Sequence, residues 1–197
     1  MKIFFDTEFT GLHKNTSLIS LGMVDENGRS FYAEFTDYDK SQVNDWIQKN
    51  VINNLINDSN KIDYESNNWF VIGDKDFICT MLKKWLKQYA EVELISDCCH
   101  YDMVLFIDIF GTAFDLPSNV SPACYDINQD IGKFFKVSMH KAFDISREGI
   151  IDWYNSVIVN FLIKDESKEK IEIYGDKHNS LYDARVIKTI YEIINHN

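Results

Sequence analysis

The chain opens on an apolar run that ends in acid. MKIFFD (1–6) reads as a strand, as do SLISLGMVD (17–25) and RSFYAEFT (29–36). DENGR (25–29), with Asn-Gly at its centre, joins the last two as a tight hairpin turn. From Ser41 to Leu55 the apolar positions Val43, Trp46, Ile47, Val51 and Leu55 keep helical spacing, with Ser41 placed as the cap. Residues 57–75 are rich in Asn and Asp and read as a surface loop. Beyond it Phe77, Ile78, Met81, Leu82, Trp85, Leu86 and Tyr89 share one helical face, and Lys83, Lys84 and Lys87 make the opposite, solvated one. VELIS (92–96) has the form of a buried strand, HYDMVLFIDIFGTAF (100–114) of a helix and PACY (122–125) of a short strand. Residues 126–137, 146–163 and 179–195 read as helices, and KDESKEK (164–170) as a charged, solvated turn. A hairpin group followed by alternating strands and helices predicts an α/β layer fold, with a mixed central sheet of about five strands flanked by helices.

Composition narrows the class. With 197 residues and 45% hydrophobic positions the chain is expected to form one domain over 1–197. A formal charge of −11 suits an enzyme that recruits cations or holds a few nucleotides better than one that grips long duplexes by their phosphates. The four cysteines form no CxxC pair, so a zinc cluster is not expected, and free thiols in a reducing cytoplasm are the natural reading. No segment reads as a signal peptide or as a membrane span: the longest apolar-rich run, 150–163, is short and carries Asp152, Asn155, Ser156 and Asn160. Trp153, Tyr154 and Phe161 in that run fit a core better than a homodimer interface, which stays possible.

The acidic residues carry the candidate chemistry. Asp6 and Glu8 are two apart on a strand, so both carboxylates aim to one face. Like charges about 4 Å apart repel by about 4 kcal/mol at an effective dielectric of about 20, unless one is protonated, both reach water, or a cation lies between them. The pair alone is a weak signal; a second one, Asp63 and Glu65, sits in a polar stretch and reads as solvated surface. Asp102 falls in the first turn of the helix after VELIS, where the helix dipole favours a carboxylate. Asp97, at the strand end, suits a capping role, and its removal is expected to leave any activity nearly unchanged. In GDKHNSLYDARVI, Gly175 breaks the chain, Asn179 or Ser180 caps a helix, His178 lies in the loop before it and Asp183 in its first turns. Four carboxylates converging at strand ends need compensation, and hard oxygen ligands without cysteine point to Mg²⁺ or Mn²⁺, two of which suit phosphoryl transfer.

These motifs resemble the DEDDh branch of the 3′→5′ exonucleases, which have a ribonuclease H-like fold. DTEFTGL (6–12) is similar to the family's first motif, DCCHYDMVLF (97–106) places Asp102 at its second, and HNSLYD (178–183) is its His-x4-Asp. Within the family the chain looks most like a small bacterial and phage exoribonuclease branch. The resemblance implies that Asp6, Glu8, Asp102 and Asp183 bind two divalent cations, with His178 as general base. It implies that the backbone of Phe9 and Thr10 meets the terminal sugar and that Leu12 wedges beside the last bases. The substrate implied is RNA or DNA with a free 3′ end, shortened to nucleoside 5′-monophosphates. An exodeoxyribonuclease, a non-catalytic nucleic-acid binder of the same fold and a proofreading module remain the alternatives. Two departures stand out: Asp97-Cys98 replaces the usual His-Asn, and Phe9 a common Thr. Residues 144–177 carry no motif.

Overall fold

The computed structural model describes residues 1–56, 61–63, 67–161 and 170–195. Its strands are β1 (Lys2–Phe9), β2 (Leu18–Asp25), β3 (Ser30–Phe35), β4 (Lys61–Asp63), β5 (Asn68–Gly73), β6 (Val92–Ser96) and β7 (Val120–Asp126). They form one mixed sheet in the order β4-β5-β3-β2-β1-β6-β7. Its helices are α1 (Asp45–Asn50), α2 (Lys75–Leu86), α3 (Cys99–Phe110), α4 (Asn128–Phe135), α5 (Met139–Asp144), α6 (Arg147–Phe161) and α7 (Ser180–Asn195).

The first three strands form an antiparallel meander. Its β2–β3 turn is held by Asp25, whose Oδ1 accepts the amides of Asn27 and Arg29 at 2.8 Å each, while Gly28 takes the positive φ of 84° that the turn requires. β6 runs parallel to β1, β7 parallel to β6, and β5 parallel to β3. β1 is buried on both faces. Ile3 and Phe5 pack with Phe31, Trp85 and Phe106 under α2 and α3, whereas Phe4 packs with Ile95, Ile187 and Ile190 under α7. The period-two alternation therefore sends Asp6 and Glu8 to the α7 face.

The structure departs from the sequence expectations in three places. Among the described residues the sheet has seven strands rather than about five, because the stretch read as a loop contains β4 and β5. NWFVIG (68–73) is an apolar strand with Trp69 and Val71 buried, and the Asn/Asp-rich flank masks it. The helix expected over 41–55 is broken: a 3-10 turn (Lys40–Gln42) precedes α1 and another (Ile52–Asn54) follows it. Asn44, not Ser41, caps α1 by accepting the amide of Ile47 at 2.9 Å. Of the Asp63–Glu65 pair, Asp63 ends β4 and Glu65 lies outside the described residues, as does most of KDESKEK. Lys83, Lys84 and Lys87 are exposed as expected. Tyr154 packs against the α7-side core, and Trp153 is partly exposed against the rings of Phe134 and Phe135; the Phe161 side chain is not among those described.

Candidate active site

The site forms where β6 stops and β1 continues. β1 pairs with β6 only from Lys2 to Phe4. Beyond that rung the amide of Thr7 finds no strand partner on this side and donates instead to Asp102 Oδ1 at 3.2 Å. The Thr7 hydroxyl adds a bond to the same oxygen at 2.6 Å, and Ser96 Oγ donates to Asp102 Oδ2. Asp102, in the first turn of α3, is thus fully buried and fixed against β1.

On the other side α7 begins almost in contact with β2. Gly22 lies opposite Asp6 in the register, and a Cβ there would stand 2.2 Å from the Ser180 carbonyl. Ser20 Oγ and Ser180 Oγ are 2.9 Å apart, which pins the same junction. Asn179 caps α7, its Oδ1 accepting the amides of Leu181 and Tyr182, while its Nδ2 donates to Tyr32 OH and Asn54 O. The turn before the helix holds His178 at a φ of 64°, a region sparsely used by residues with a side chain. Its amide donates to Asp183 Oδ2 at 2.8 Å, and its Nδ1 is 3.8 Å from Glu8 Oε1.

These junctions bring Asp6, Glu8, Asp102, His178 and Asp183 into one cleft of about 300 Å³, with Asp97, Arg147, Glu148 and Lys177 completing its walls. Ligand atoms of Glu8, His178 and Asp183 lie within 4.8 Å of one another, as do those of Asp6, Asp97 and Asp102. Crowding acids in so little solvent disfavours their charge. Burial, then the carboxylates of Asp102, Asp183 and Glu8, holds Asp6 well above the usual carboxylate range. Burial raises Asp102 to about 7 despite its Ser96 and Thr7 bonds. Burial, then Glu8, raises Asp183 to about 8. The contact with Glu8 raises His178. Asp6 Oδ2 is sealed from solvent and has no hydrogen-bond partner among the described residues. A buried acceptor without a donor is costly, and a hard cation is the partner that suits an all-oxygen and imidazole donor set.

A second groove of about 350 Å³ adjoins the cleft, lined by Glu8, Phe9, Gly11, Leu12, Asn44, Trp46 and Ile47. Leu12 is 73% exposed and Trp46 55%, both at its mouth. Phe9 stacks on Tyr101 with ring centroids 5.3 Å apart. Trp46 meets the His178 ring edge-on at 5.1 Å. Thr10 is buried, its amide donating to Ser17 O at 3.0 Å and its hydroxyl to Gln42, so it braces the Phe9–Leu12 turn. Burial pushes the Cys98 thiol up to about 12, and the Cys99 side chain is buried.

Asp97 does not cap α3. The cap position is Cys98, without a side-chain bond, and Asp97 instead pairs with Arg147, Nε to Oδ2 at 2.9 Å. Sequence reasoning missed Arg147, Lys177, Trp46, Thr7 and Ser96. Trp46 shares the apolar helical spacing of Ile47 in the sequence, and only the structure shows it 55% exposed at the groove; the others are single polar residues whose roles exist only in the folded chain.

A model of the Rv2179c-like 3′-5′ exoribonuclease domain matches residues 1–195. The chain belongs to this family. An Rv2179c-like relative, the 3′-5′ exoribonuclease Rv2179c of Mycobacterium tuberculosis (strain ATCC 25618 / H37Rv), is 38% identical over 55 residues, 28% of this chain and 33% of the relative. The match thus spans about one third of the length of that curated relative. Among solved structures, this Rv2179c-like chain is similar to the nuclease domain of 3′hExo, a DEDDh family member bound to rAMP, with a TM-score of 0.57 and 14% identity over 96% of this chain and 88% of that one. It is similar to a 3′-exonuclease recognising the histone mRNA stem-loop, with a TM-score of 0.60 and 14% identity over 96% of this chain and 61% of that one. It is also similar to S. pombe Pop2p in its Mg²⁺- and Mn²⁺-bound form, with a TM-score of 0.58 and 15% identity over 100% of this chain and 83% of that one. The fold expected from the motifs, α/β and ribonuclease H-like, is the fold found.

Proposed function

We propose that this chain is a divalent-cation-dependent 3′→5′ exoribonuclease that releases nucleoside 5′-monophosphates. The observation that carries the reading is Asp6 Oδ2, sealed and without a hydrogen-bond partner among the described residues, in one cleft with the carboxylates of Glu8, Asp102 and Asp183 and the ring of His178. Asp6, Glu8 and Asp183 would hold one Mg²⁺ or Mn²⁺, and Asp6 with Asp102 a second. When bound, such ions activate the attacking water and offset charge on the phosphate. Glu8, facing His178 Nδ1, favours the Nδ1–H tautomer, which leaves Nε2 to accept the water's proton. The Asp183–His178 amide bond holds the loop that presents this ring. Phe9 and Leu12 would receive the terminal nucleotide in the adjoining groove, with Thr10 fixing the turn that carries them. Apolar and aromatic surfaces stack on any base, which fits removal of nucleotides without sequence preference. The reading extends to a single domain working in the cytoplasm; among the described residues no helix is long and apolar enough to cross a membrane.

The test uses 5′-labelled RNA and DNA of one sequence, incubated with Mg²⁺ or Mn²⁺ beside an Asp6→Ala control. Shortening from the 3′ end, faster on RNA and absent in the control, is expected. A faster DNA ladder assigns the enzyme to deoxyribonucleotide substrates, and intact oligonucleotides under every condition refute catalysis by the chain alone.

A further inference from the structure

Asp97 is placed unlike an ordinary surface acid. It follows β6 directly, and one of its oxygens lies within 4.8 Å of ligand atoms of Asp6 and Asp102. Its side chain is 22% exposed and that of Arg147 13%. Arg147 binds Asp97 Oδ2 through Nε, the carbonyls of Ala142 and Ile145 through Nη1 at 3.1 and 2.8 Å, and Asn128 Oδ1 through Nη2 at 2.6 Å. Asn128 returns a bond from Nδ2 to the Asp97 carbonyl at 2.8 Å. The guanidinium is thereby locked from the ends of β6 and α4 to the turn between α5 and α6. The other Asp97 oxygen accepts no hydrogen bond among the described residues.

The neighbouring donor set is short of oxygen. Asp102 spends both oxygens on Thr7 and Ser96, which take three of the roughly four lone-pair directions of a carboxylate. Asp6 and Asp102 alone would grip a cation weakly. We propose that Asp97 is an additional carboxylate ligand of the cation shared by Asp6 and Asp102, and that Arg147 is the positioning residue that fixes it there. The inference rests on the exonuclease reading of the same cleft. An ion pair serving only to anchor the start of α6 would not need a carboxylate oxygen within 4.8 Å of those of Asp6 and Asp102. Arg147 also offsets the added negative charge, which lets a third acid stand at the site without a cation.

The experiment measures Mn²⁺ binding by calorimetry and electron paramagnetic resonance on the metal-stripped full chain, without nucleic acid. Two ions are expected on the unaltered protein. Asp97→Asn keeps an acceptor for Arg147 Nε and should weaken one ion by roughly 10- to 100-fold, leaving the other unchanged. Asp97→Ala, checked for folding by circular dichroism, should do the same. Arg147→Lys keeps the charge and leaves the Asp97 carboxylate in place, so its loss should be several-fold smaller. Unchanged binding in both Asp97 variants overturns the proposal, as does an Arg147→Lys loss equal to that of Asp97→Asn, which would make the pair a structural anchor. Two ions and RNA shortening with an indifferent Asp97 refute this inference alone. No Mn²⁺ on the unaltered chain refutes the exonuclease reading with it.

Discussion

Gly22→Ala probes the junction on which the whole site depends. The new Cβ would begin 2.2 Å from the Ser180 carbonyl carbon and oxygen and 2.3 Å from the Leu181 amide nitrogen. Ordinary contact needs about 3.4 Å or more, so the start of α7 must retreat from β2 by about 1 Å. Both sides of the clash are backbone, so no side chain can rotate away. Overpacking of this kind costs about 1–3 kcal/mol, which for a chain of this size lowers the melting temperature by roughly 2–12 °C. The effect on rate should be larger than on stability. Asp183 and the His178 turn travel with α7, while Asp6 and Glu8 stay on β1, so the two halves of the site separate. A displacement of about 1 Å at reacting groups costs about 10²-fold. Differential scanning fluorimetry reads the first effect, and single-turnover shortening of labelled RNA with Mn²⁺ reads the second. Gly28→Ala is the comparison: it sits at a positive φ with nothing within 4 Å, so it strains only the turn. The reasoning is refuted if Gly22→Ala melts and cleaves like the unaltered chain, or if it loses stability while keeping its full rate.

Asp6→Asn should lower the rate by on the order of 10² to 10³ while raising the melting temperature of the metal-free chain, because it removes the cost of holding an ionisable group buried among other carboxylates; a lower melting temperature in calorimetry would contradict that argument. His178→Ala should cost about 10² to 10⁴ in rate with little change in Mn²⁺ binding, and a loss below about tenfold in stopped assays would exclude it as general base. Asp102 and Asp183, raised to about 7 and about 8, keep protons in the folded chain that the unfolded chain sheds above about pH 4. The stability these two carboxyls contribute to the metal-free chain is therefore full below about pH 4 and is lost as the pH climbs through about 7 and 8. Mn²⁺ should restore it, with a larger melting shift at pH 8 than at pH 5.5; equal shifts would count against these carboxylates as ligands.

The acids and the histidine were legible because strand and helix periodicity carry them. Asp6-x-Glu8 shares a face by the period of two, and His178 and Asp183 frame a helix start marked by Gly175 and Asn179. The supports were not. Arg147 reaches Asp97 across 50 positions of chain, and the bonds of Thr7 and Ser96 to Asp102 exist only because β1 runs on past its last pairing with β6. β5 was hidden by its polar surroundings, although NWFVIG is apolar by itself. The broken helix at 41–55 kept its apolar spacing through Asn44 and Val51, so periodicity alone read as continuous.

The early end of β6 has a consequence for how this protein can be dissected. Asp102 stands where the next strand would be and supplies the rung that Thr7 would otherwise lack. Part of the sheet is therefore written in the same side chain as the chemistry, and an alanine at this position strands a buried amide as well as emptying a ligand position, a loss of about 1–3 kcal/mol unrelated to any cation. Asparagine, which keeps the acceptor and drops the charge, separates architecture from reactivity at Asp102; alanine merges them.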